Sequence, residues 1–554
     1  MGISPLISSY TADLLTSPRR PTNSTMIESV HIENFKGFDS FNLDLNTDIN
    51  IIVGNNEAGK STILEAISLA LTKRIGGRPV EQELSPYLFN KKCSDAYLAA
   101  VKQNQNPALP RILIELYFSE SPQLASLRGI NNSRNADCIG IRLEAVFDSD
   151  YAEEYQKLIE DASEKRVIPA EYYKVHWFSF ANNAITSRSL PVNVFHIDAT
   201  TIRLQSGADS YIQNIISDGL APKEKVALAV AYRRMKEQFS AEPSIQSING
   251  SFAKGAITEK NLTIAIDISK RTNWETNLIP HLDDLPFQLS GKGEQTALKI
   301  MLALERKAED ADVILIEEPE NHLSFSSMSN LVSRISAKCG GKQIVITTHS
   351  AYVLNKLGIE KVLLLHRGKT TSLAKLPHGT YDYFKKLSGY DTLRLILAKR
   401  AILVEGPSDE LVIQKAYHAK HGTLPIENGV DVINVRGLSF SRFLDIAKEL
   451  GKEVAVVTDN DGDHQRKIVD KYAPYTGIPT IQICASSDNT LATLEPQIAA
   501  CNDLATLNKV LGTSYTNQVD LVKHMVANKT ECALKIFESK EVIIFPAYIE
   551  DAIR

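Results

Sequence analysis

The nine residues Gly54-Asn55-Asn56-Glu57-Ala58-Gly59-Lys60-Ser61-Thr62 separate a short apolar run at 51–53 from a run at 61–72 with apolar residues at helical spacing. Strand, glycine-bearing loop, then helix is the context in which G-x-x-x-x-G-K-[ST] holds phosphates. Backbone N–H groups from Asn55 to Thr62, together with the helix N-terminus, supply the anion cradle. Lys60 is expected to face the β- and γ-phosphates, and Ser61 to ligate Mg2+. A loop of this kind needs a buried strand behind it and a helix ahead of it, so the chain is expected to be α/β.

Three later segments extend this pattern. The apolar run at 313–316 ends on Glu317-Glu318, the position of the acids that follow a buried strand in ATP-hydrolysing folds. Glu317 is expected on the metal side, where Asp is usual, and Glu318 is expected to polarise the attacking water as general base. Ser290-Gly291-Lys292-Gly293-Glu294-Gln295 opens a strong helical pattern at 293–307, and Thr348-His349-Ser350 follows the apolar run at 344–347. Together these segments resemble the dispersed motifs of ABC-type ATPases. The resemblance implies that His349 senses the γ-phosphate. The signature-like loop departs from LSGGQ by carrying Lys292 and Glu294. In that family this loop reaches the nucleotide of a second ATPase, so Ser290, Gly293 and Glu294 imply a dimer or a higher homo-oligomer.

A second chemistry follows. Leu403-Val404-Glu405-Gly406-Pro407-Ser408-Asp409 and Val457-Thr458-Asp459-Asn460-Asp461-Gly462-Asp463 each begin as an apolar strand and end in acids. Strands at 401–404, 430–434, 454–458 and 481–483 alternate with helical segments, which implies a parallel sheet with right-handed crossovers. Acids at the C-terminal ends of neighbouring parallel strands converge on one crevice. Several carboxylates there repel one another and call for hard divalent cations, Mg2+ or Mn2+. Such ions activate water and stabilise a leaving oxygen. Glu405, Asp409, Asp459, Asp461 and Asp463 are the candidate ligands, with Glu405, Asp459 and Asp461 at the centre of the chemistry.

These residues resemble the Toprim fold of topoisomerases, primases and the overcoming lysogenization defect (OLD) nucleases. A RecF/SMC-like ATPase followed by a C-terminal Toprim domain resembles the OLD family. Further matches are Thr490-Leu491-Ala492-Thr493-Leu494-Glu495, Asn528-Lys529-Thr530-Glu531-Cys532-Ala533 and the tail Phe545-Pro546-Ala547-Tyr548-Ile549. The resemblance implies that Glu495 is a second-metal ligand and that Lys529 contacts a phosphate or the transition state. It further implies an ATP-regulated DNA endonuclease or nickase in antiphage defence, alone or with a helicase or a retron reverse transcriptase and its DNA. The competing expectation is a non-cleaving RecF/SMC-like clamp in DNA maintenance. The absence of a long coiled coil and the presence of the Toprim acids weigh against it. A topoisomerase or primase ranks lower still, since neither a tyrosine-bearing DNA-gate domain nor a zinc module is visible.

Length and composition set the frame. At 554 residues the chain exceeds one hydrophobic core. Its net charge of −5 leaves DNA binding to local basic patches, with Lys399, Arg400 and Arg436 as candidates near the metal strands. None of the six cysteines forms a C-x-x-C pair, which argues against zinc and disulfides and for a reducing cytoplasm. No apolar run reaches the roughly 20 residues needed to span a bilayer. The expected organisation is a disordered lead-in at 1–25, with Met26 as an alternative start. The first ATPase part, with a β-rich subdomain, spans 26–206. A helical insertion suited to dimerisation spans 207–255, the second ATPase part 256–391, and a Rossmann-like Toprim domain 392–554.

Overall fold

The computed structural model describes residues 25–554 apart from 104, 106, 161–166, 188, 199–203, 206–207, 210–219, 252–263, 265, 267–280, 307–310, 339–340, 367, 387–391 and 438–439. Residues 1–24 of the expected lead-in and a part of the expected helical insertion lie outside the described residues. Two compact units emerge. One comprises Met1–Asp48 and Ser61–Thr347, the other Ile49–Lys60 and Thr348–Arg554.

The first unit holds two sheets of opposite character. Ile27–Phe35 sits between Phe38–Asp44 and Ile112–Phe118, and the latter pairs onward with Cys138–Phe147 and Tyr173–Ser179, all antiparallel. Val194–Asp198, Val313–Glu317 and Gln343–Thr347 are parallel and in register, Ile197 beside Ile316 and Ile316 beside Ile346. Val313 to Ile316 are fully buried, as strands covered on both faces must be. Gln343 joins the two sheets. Its side chain accepts from Ile27 N–H at 2.8 Å and donates to the carbonyls of Ile27 and Asn46 at 2.8 Å each. Within the expected helical insertion a helix runs from Pro222 to Ala241. Pro222 supplies a preset first turn and the Glu224 carboxylate accepts from Ala221 N–H at 2.7 Å.

In the second unit, Ile49–Gly54 lies parallel to Val362–His366, which turns back antiparallel into Lys369–Ser372. A four-stranded parallel sheet follows in the order Val430–Asn434, Arg400–Val404, Glu453–Val457, Ile481–Cys484. Val404 stands level with Asn434 and Val457, so their C-terminal ends share one edge. The helical segment after the strand Arg400–Val404 runs from Pro407 to His421, with Pro407 in the first turn and left-handed Gly422 ending it. One face of the sheet packs Ile402, Val404, Val432 and Val457 against Val412, Ile413, Ile536 and Ile549. Helix Phe440–Leu450 packs against strand Glu453–Val457.

The unit that holds this sheet also takes in residues from Thr348 on, and side chains tie them to it. Buried Thr392 donates to Asn355 Oδ1 at 2.8 Å. Thr380 donates to Asp445, Arg442 Nη1 donates to Thr380 Oγ1 at 3.0 Å, and Tyr475 donates to Asp445 Oδ1 at 2.8 Å. Phe384 meets the Phe443 ring edge-on at 5.3 Å. Thr380 and Phe384 are thus fastened to helix Phe440–Leu450. No helix among the described residues is long and apolar enough to cross a membrane.

Substituting Gln343 with Leu keeps the volume but leaves the Ile27 N–H and carbonyl buried without partners. Unsatisfied buried groups cost about 1–3 kcal/mol each. A loss of roughly 2–4 kcal/mol in urea unfolding is expected, and a loss below about 0.5 kcal/mol would show that the two sheets do not depend on this clamp.

Candidate active site

Glu405 leaves the end of the central strand Arg400–Val404, and Asp459 leaves the end of its neighbour Glu453–Val457. Three local bonds fix their approach. The Thr458 hydroxyl donates to Glu405 Oε1, Asp459 N–H reaches the same oxygen at 3.4 Å, and Gly437 N–H donates to the Glu405 carbonyl at 3.0 Å. Asp409 closes the first turn of the next helix by accepting from Gly406 N–H at 3.0 Å. Glu495, only 4% exposed, accepts from the Thr493 hydroxyl at 2.8 Å and pairs with Lys529 Nζ at 3.2 Å.

The electrostatics of this group follow from crowding. Burial, then the Glu405 charge, pushes Asp409 up to about 7, with Glu495 adding and Lys529 opposing. Burial, then the charges of Asp409, Glu405 and Glu495, pushes Asp459 up to about 8, again against Lys529. The Tyr548 phenol is held well above its usual range by burial and then by Asp459 and Asp409. Glu405, Asp409, Asp459, Glu495 and Lys529 therefore form one electrostatic cluster.

A divalent cation fits this donor set, because hard oxygen ligands with excess negative charge are what Mg2+ and Mn2+ require. No group of three or more His, Cys, Asp and Glu side chains among the described residues stands close enough to hold a metal as it is.

Asp461 and Asp463 stand apart from this group. Asp461, with φ +49°, turns outward and pairs with Lys467 at 2.8 Å, while Asp463 accepts from Arg466 N–H at 3.1 Å. Among the candidate DNA contacts, exposed Arg436 follows strand Val430–Asn434 on the carboxylate edge. Lys399 and Arg400 do not share that edge. They stand where the central strand begins, with Arg400 donating to the carbonyls of Ala552 (2.8 Å) and Arg554. The Lys399 stem lies against Gly429, where a Cβ would come within 2.8 Å of it. Thr458, Asn460 and Tyr548 were not singled out from the sequence. The position of Thr458 just before the strand-end acid was the available signal.

The nucleotide motifs are found in parts. Glu57 and Gly59 take positive φ, +64° and +100°, which curls the loop after Gly54. Buried Lys60 donates to the carbonyls of Gly54 at 3.1 Å and Asn55 at 3.2 Å. Gly54 is obligatory, since a Cβ there would meet Leu365 O at 2.7 Å. Asn55 and Asn56 are exposed, Ala58 and Thr62 are half-buried, and Ser61 is exposed in the first turn of helix Lys60–Thr72. Glu317 closes its strand. Glu318, at φ +41°, donates its N–H to Thr347 O at 3.0 Å and accepts from Asn321 Nδ2 at 2.8 Å. Ser290 Oγ donates to Phe287 O at 2.8 Å, and Glu294 lies in the first turn of helix Lys292–Arg306. Gly293 abuts His322, whose carbonyl would stand 2.1 Å from an added Cβ. His349 is half-buried, just before Ser350 caps helix Ala351–Leu357.

Residues 26–354 match the family model described as an AAA ATPase domain. Residues 396–461 match the overcoming lysogenization defect protein-like TOPRIM domain. The chain is 25% identical over 344 residues to an ATP/GTP phosphatase of Helicobacter pylori, covering 59% of this chain and 85% of that protein. It is 22% identical over 407 residues to the "Retron Ec83 probable ATPase" of Escherichia coli, covering 62% and 72%. To the DNA replication and repair protein RecF of Lactococcus lactis it is 21% identical over 350 residues, covering 58% and 92%.

Because folding raises the pKa values of Asp409 and Asp459, their contribution to stability is fully present below pH about 4 and is lost as pH rises through 7–8. In EDTA the unfolding midpoint is expected to fall between pH 5.5 and 8.5, by an effect on the order of 2–4 kcal/mol. Mg2+ or Mn2+ at the upper pH is expected to restore it. Asp459→Asn removes one of the crowded charges and should flatten the slope. An unchanged slope in that variant would refute the crowding.

Proposed function

The chain belongs to the AAA ATPase domain family and carries an OLD-like TOPRIM domain at its C-terminal end, and on that premise we propose that it is an ATP-regulated, divalent-metal-dependent DNA endonuclease or nickase. The observation that carries this reading is the pair Asp409 and Asp459, two acids at one sheet edge whose protons are held to about 7 and 8 by burial first and then by neighbouring carboxylates. An arrangement that costs stability without a cation is expected where a cation works.

Glu405, Asp409, Asp459 and Glu495 would hold one or two divalent ions, Mg2+ with Mn2+ as a substitute. Asp461 joins them once released from Lys467, and Asp463 keeps that turn in shape. The ions supply an activated water and charge neutralisation for the leaving oxygen of a phosphodiester. Lys529, tied to Glu495 at 3.2 Å, would carry its charge to a non-bridging phosphate oxygen. Arg436, exposed on the same edge, would hold the flanking backbone.

In the ATPase part, Lys60 and the loop from Asn55 to Thr62 would bind the phosphates. Ser61 and Glu317 would ligate Mg2+, Glu318 would orient water, and His349 would sense the γ-phosphate. Ser290, Gly293 and Glu294 would complete the nucleotide site of a second copy, making the working form a dimer or larger. The place we propose for it is antiphage defence, alone or with a helicase or a reverse transcriptase and its DNA as partner; the similarity to a retron's probable ATPase supports a defence role in general. The RecF relatives favour the competing reading, a non-cleaving clamp in DNA maintenance.

Three sets of variants test these assignments. Glu318→Gln is expected to keep ATP binding and slow hydrolysis by about a hundredfold or more, the usual weight of a general base. Parental turnover would remove Glu318 from that role.

Composite sites are tested by mixing Lys60→Ala with Ser290→Arg, after confirmed subunit exchange. Ser290 is the better choice than Gly293, where any side chain strikes His322. Recovery of ATPase activity in the mixture is expected, and none would argue against shared sites.

Glu405→Ala and Asp459→Ala are each expected to abolish Mg2+- or Mn2+-dependent plasmid cleavage while ATP hydrolysis stays within about twofold, because the acids sit apart from the nucleotide motifs in sequence and chemistry. If both variants cut as the parent does, the acids are not the nuclease. If the parent never cuts, even with its native partner, the clamp reading takes over.

A further inference from the structure

Asn460 lies between two acids of the cluster's turn, and its own side chain is fully buried. Its Nδ2 donates to the carbonyls of Ser486 and Asp488, both at 2.9 Å. Its Oδ1 accepts from Gly462 N–H at 2.9 Å, and its carbonyl accepts from Asp463 N–H at 2.9 Å. One side chain therefore both closes the turn behind Asp459 and fastens that turn to a separate loop.

The fastening extends along the loop toward Glu495. Asp461 N–H donates to Ala492 O at 3.1 Å, and His464 N–H donates to Asn489 Oδ1 at 2.8 Å. Gln497 Nε2, from helix Leu494–Cys501, holds Leu491 O at 2.7 Å, and Thr493 donates to Glu495. Within the loop, Asp488 takes both the N–H and the hydroxyl of Thr490, so the segment keeps its own shape. Asp459 and Glu495 come from different strands and helices, and the loop laced to Asn460 joins their supports.

We propose that Asn460 is a positioning residue that sets the distance between the Asp459 and Glu495 carboxylates, and with it the affinity of the site for a divalent cation. The inference rests on the metal-site reading above. Two carboxylates that repel each other separate unless their backbones are held, and the cation then has to bear the cost of bringing them together. Buried Asn is suited to the task because its amide offers two donors and an acceptor at once. Asp is isosteric but presents only acceptors to two carbonyl oxygens and adds a like charge.

The test uses the full chain without nucleotide and Mn2+ as the probe, with free Mn2+ read by electron paramagnetic resonance. Cleavage as a function of Mn2+ and thermal unfolding in EDTA are measured on the same preparations. Asn460→Ala and Asn460→Asp are expected to weaken Mn2+ binding by about tenfold or more, the usual scale for groups that orient metal ligands. Cleavage at saturating Mn2+ is expected to fall less than the affinity does. Asn489→Ala removes one exposed acceptor of the same lacing and should give a smaller loss in the same direction, keeping the test open if Asn460 variants fold poorly. If Asn460→Ala only lowers the unfolding midpoint and binds Mn2+ like the parent, the residue is merely structural and the proposal falls. Asp459→Ala separates the two levels. If it loses Mn2+ while the Asn460 and Asn489 variants do not, the metal site stands and the positioning role is wrong. If Asp459→Ala binds Mn2+ like the parent, the metal-site reading itself fails.

Discussion

Like charges held together at one sheet edge are the constraint on which the C-terminal unit turns. Parallel strands end level with one another, so acids placed just after them have nowhere to go but the same crevice. Folding brings Glu405, Asp409, Asp459 and Glu495 toward one another, with the Lys529 cation opposing the rise at Asp409 and Asp459. Asp409 and Asp459 respond by retaining protons near neutrality, which is the least costly way for a desolvated carboxyl to meet another. The surrounding hydrogen bonds are arranged accordingly. Thr458, the Gly406 N–H and the Gly437 N–H hold Glu405 and Asp409 from behind, and the apolar face of Ile402, Val404, Val412 and Ile549 provides the rigid support.

Much of this was legible in the sequence because strand ends are local events. An apolar run of four or five residues followed by an acid announces both the strand and the edge at which the acid emerges, and this held for Glu405, Asp459, Glu317 and Glu318. Backbone handedness was not legible. Asp461 lies two residues beyond Asp459, yet its φ of +49° and the +80° of Gly462 swing it outward to Lys467. Nothing in Asp-Asn-Asp-Gly distinguishes that turn from one that keeps both acids inside.

The basic residues show the same limit from the other side. Lys399 and Arg400 neighbour the metal strands in sequence, but a strand rises about 3.3 Å per residue, so five residues separate its start from its end by roughly 15 Å. Arg400 serves the C-terminal carbonyls there, whereas Arg436, beyond the end of its strand, reaches the acidic edge. Glu495 and Lys529 were legible only as a family resemblance, since their 3.2 Å pairing joins the starts of two helices that no local pattern relates.

Side chains tie the described residues on either side of residue 392 into one compact unit. Helix Ala351–Leu357 begins directly after His349, and its Asn355 is bonded to Thr392. Thr380 and Phe384 then meet Arg442, Asp445 and Phe443 on helix Phe440–Leu450. That helix follows the loop in which Gly437 holds the Glu405 carbonyl. Each link is a buried polar bond or a ring contact, and packed interiors of this kind transmit displacement with little slack. Among the described residues between His349 and Glu405, Asn355, Thr380, Phe384 and Thr392 thus belong to the same packed unit as the strands that carry the acids.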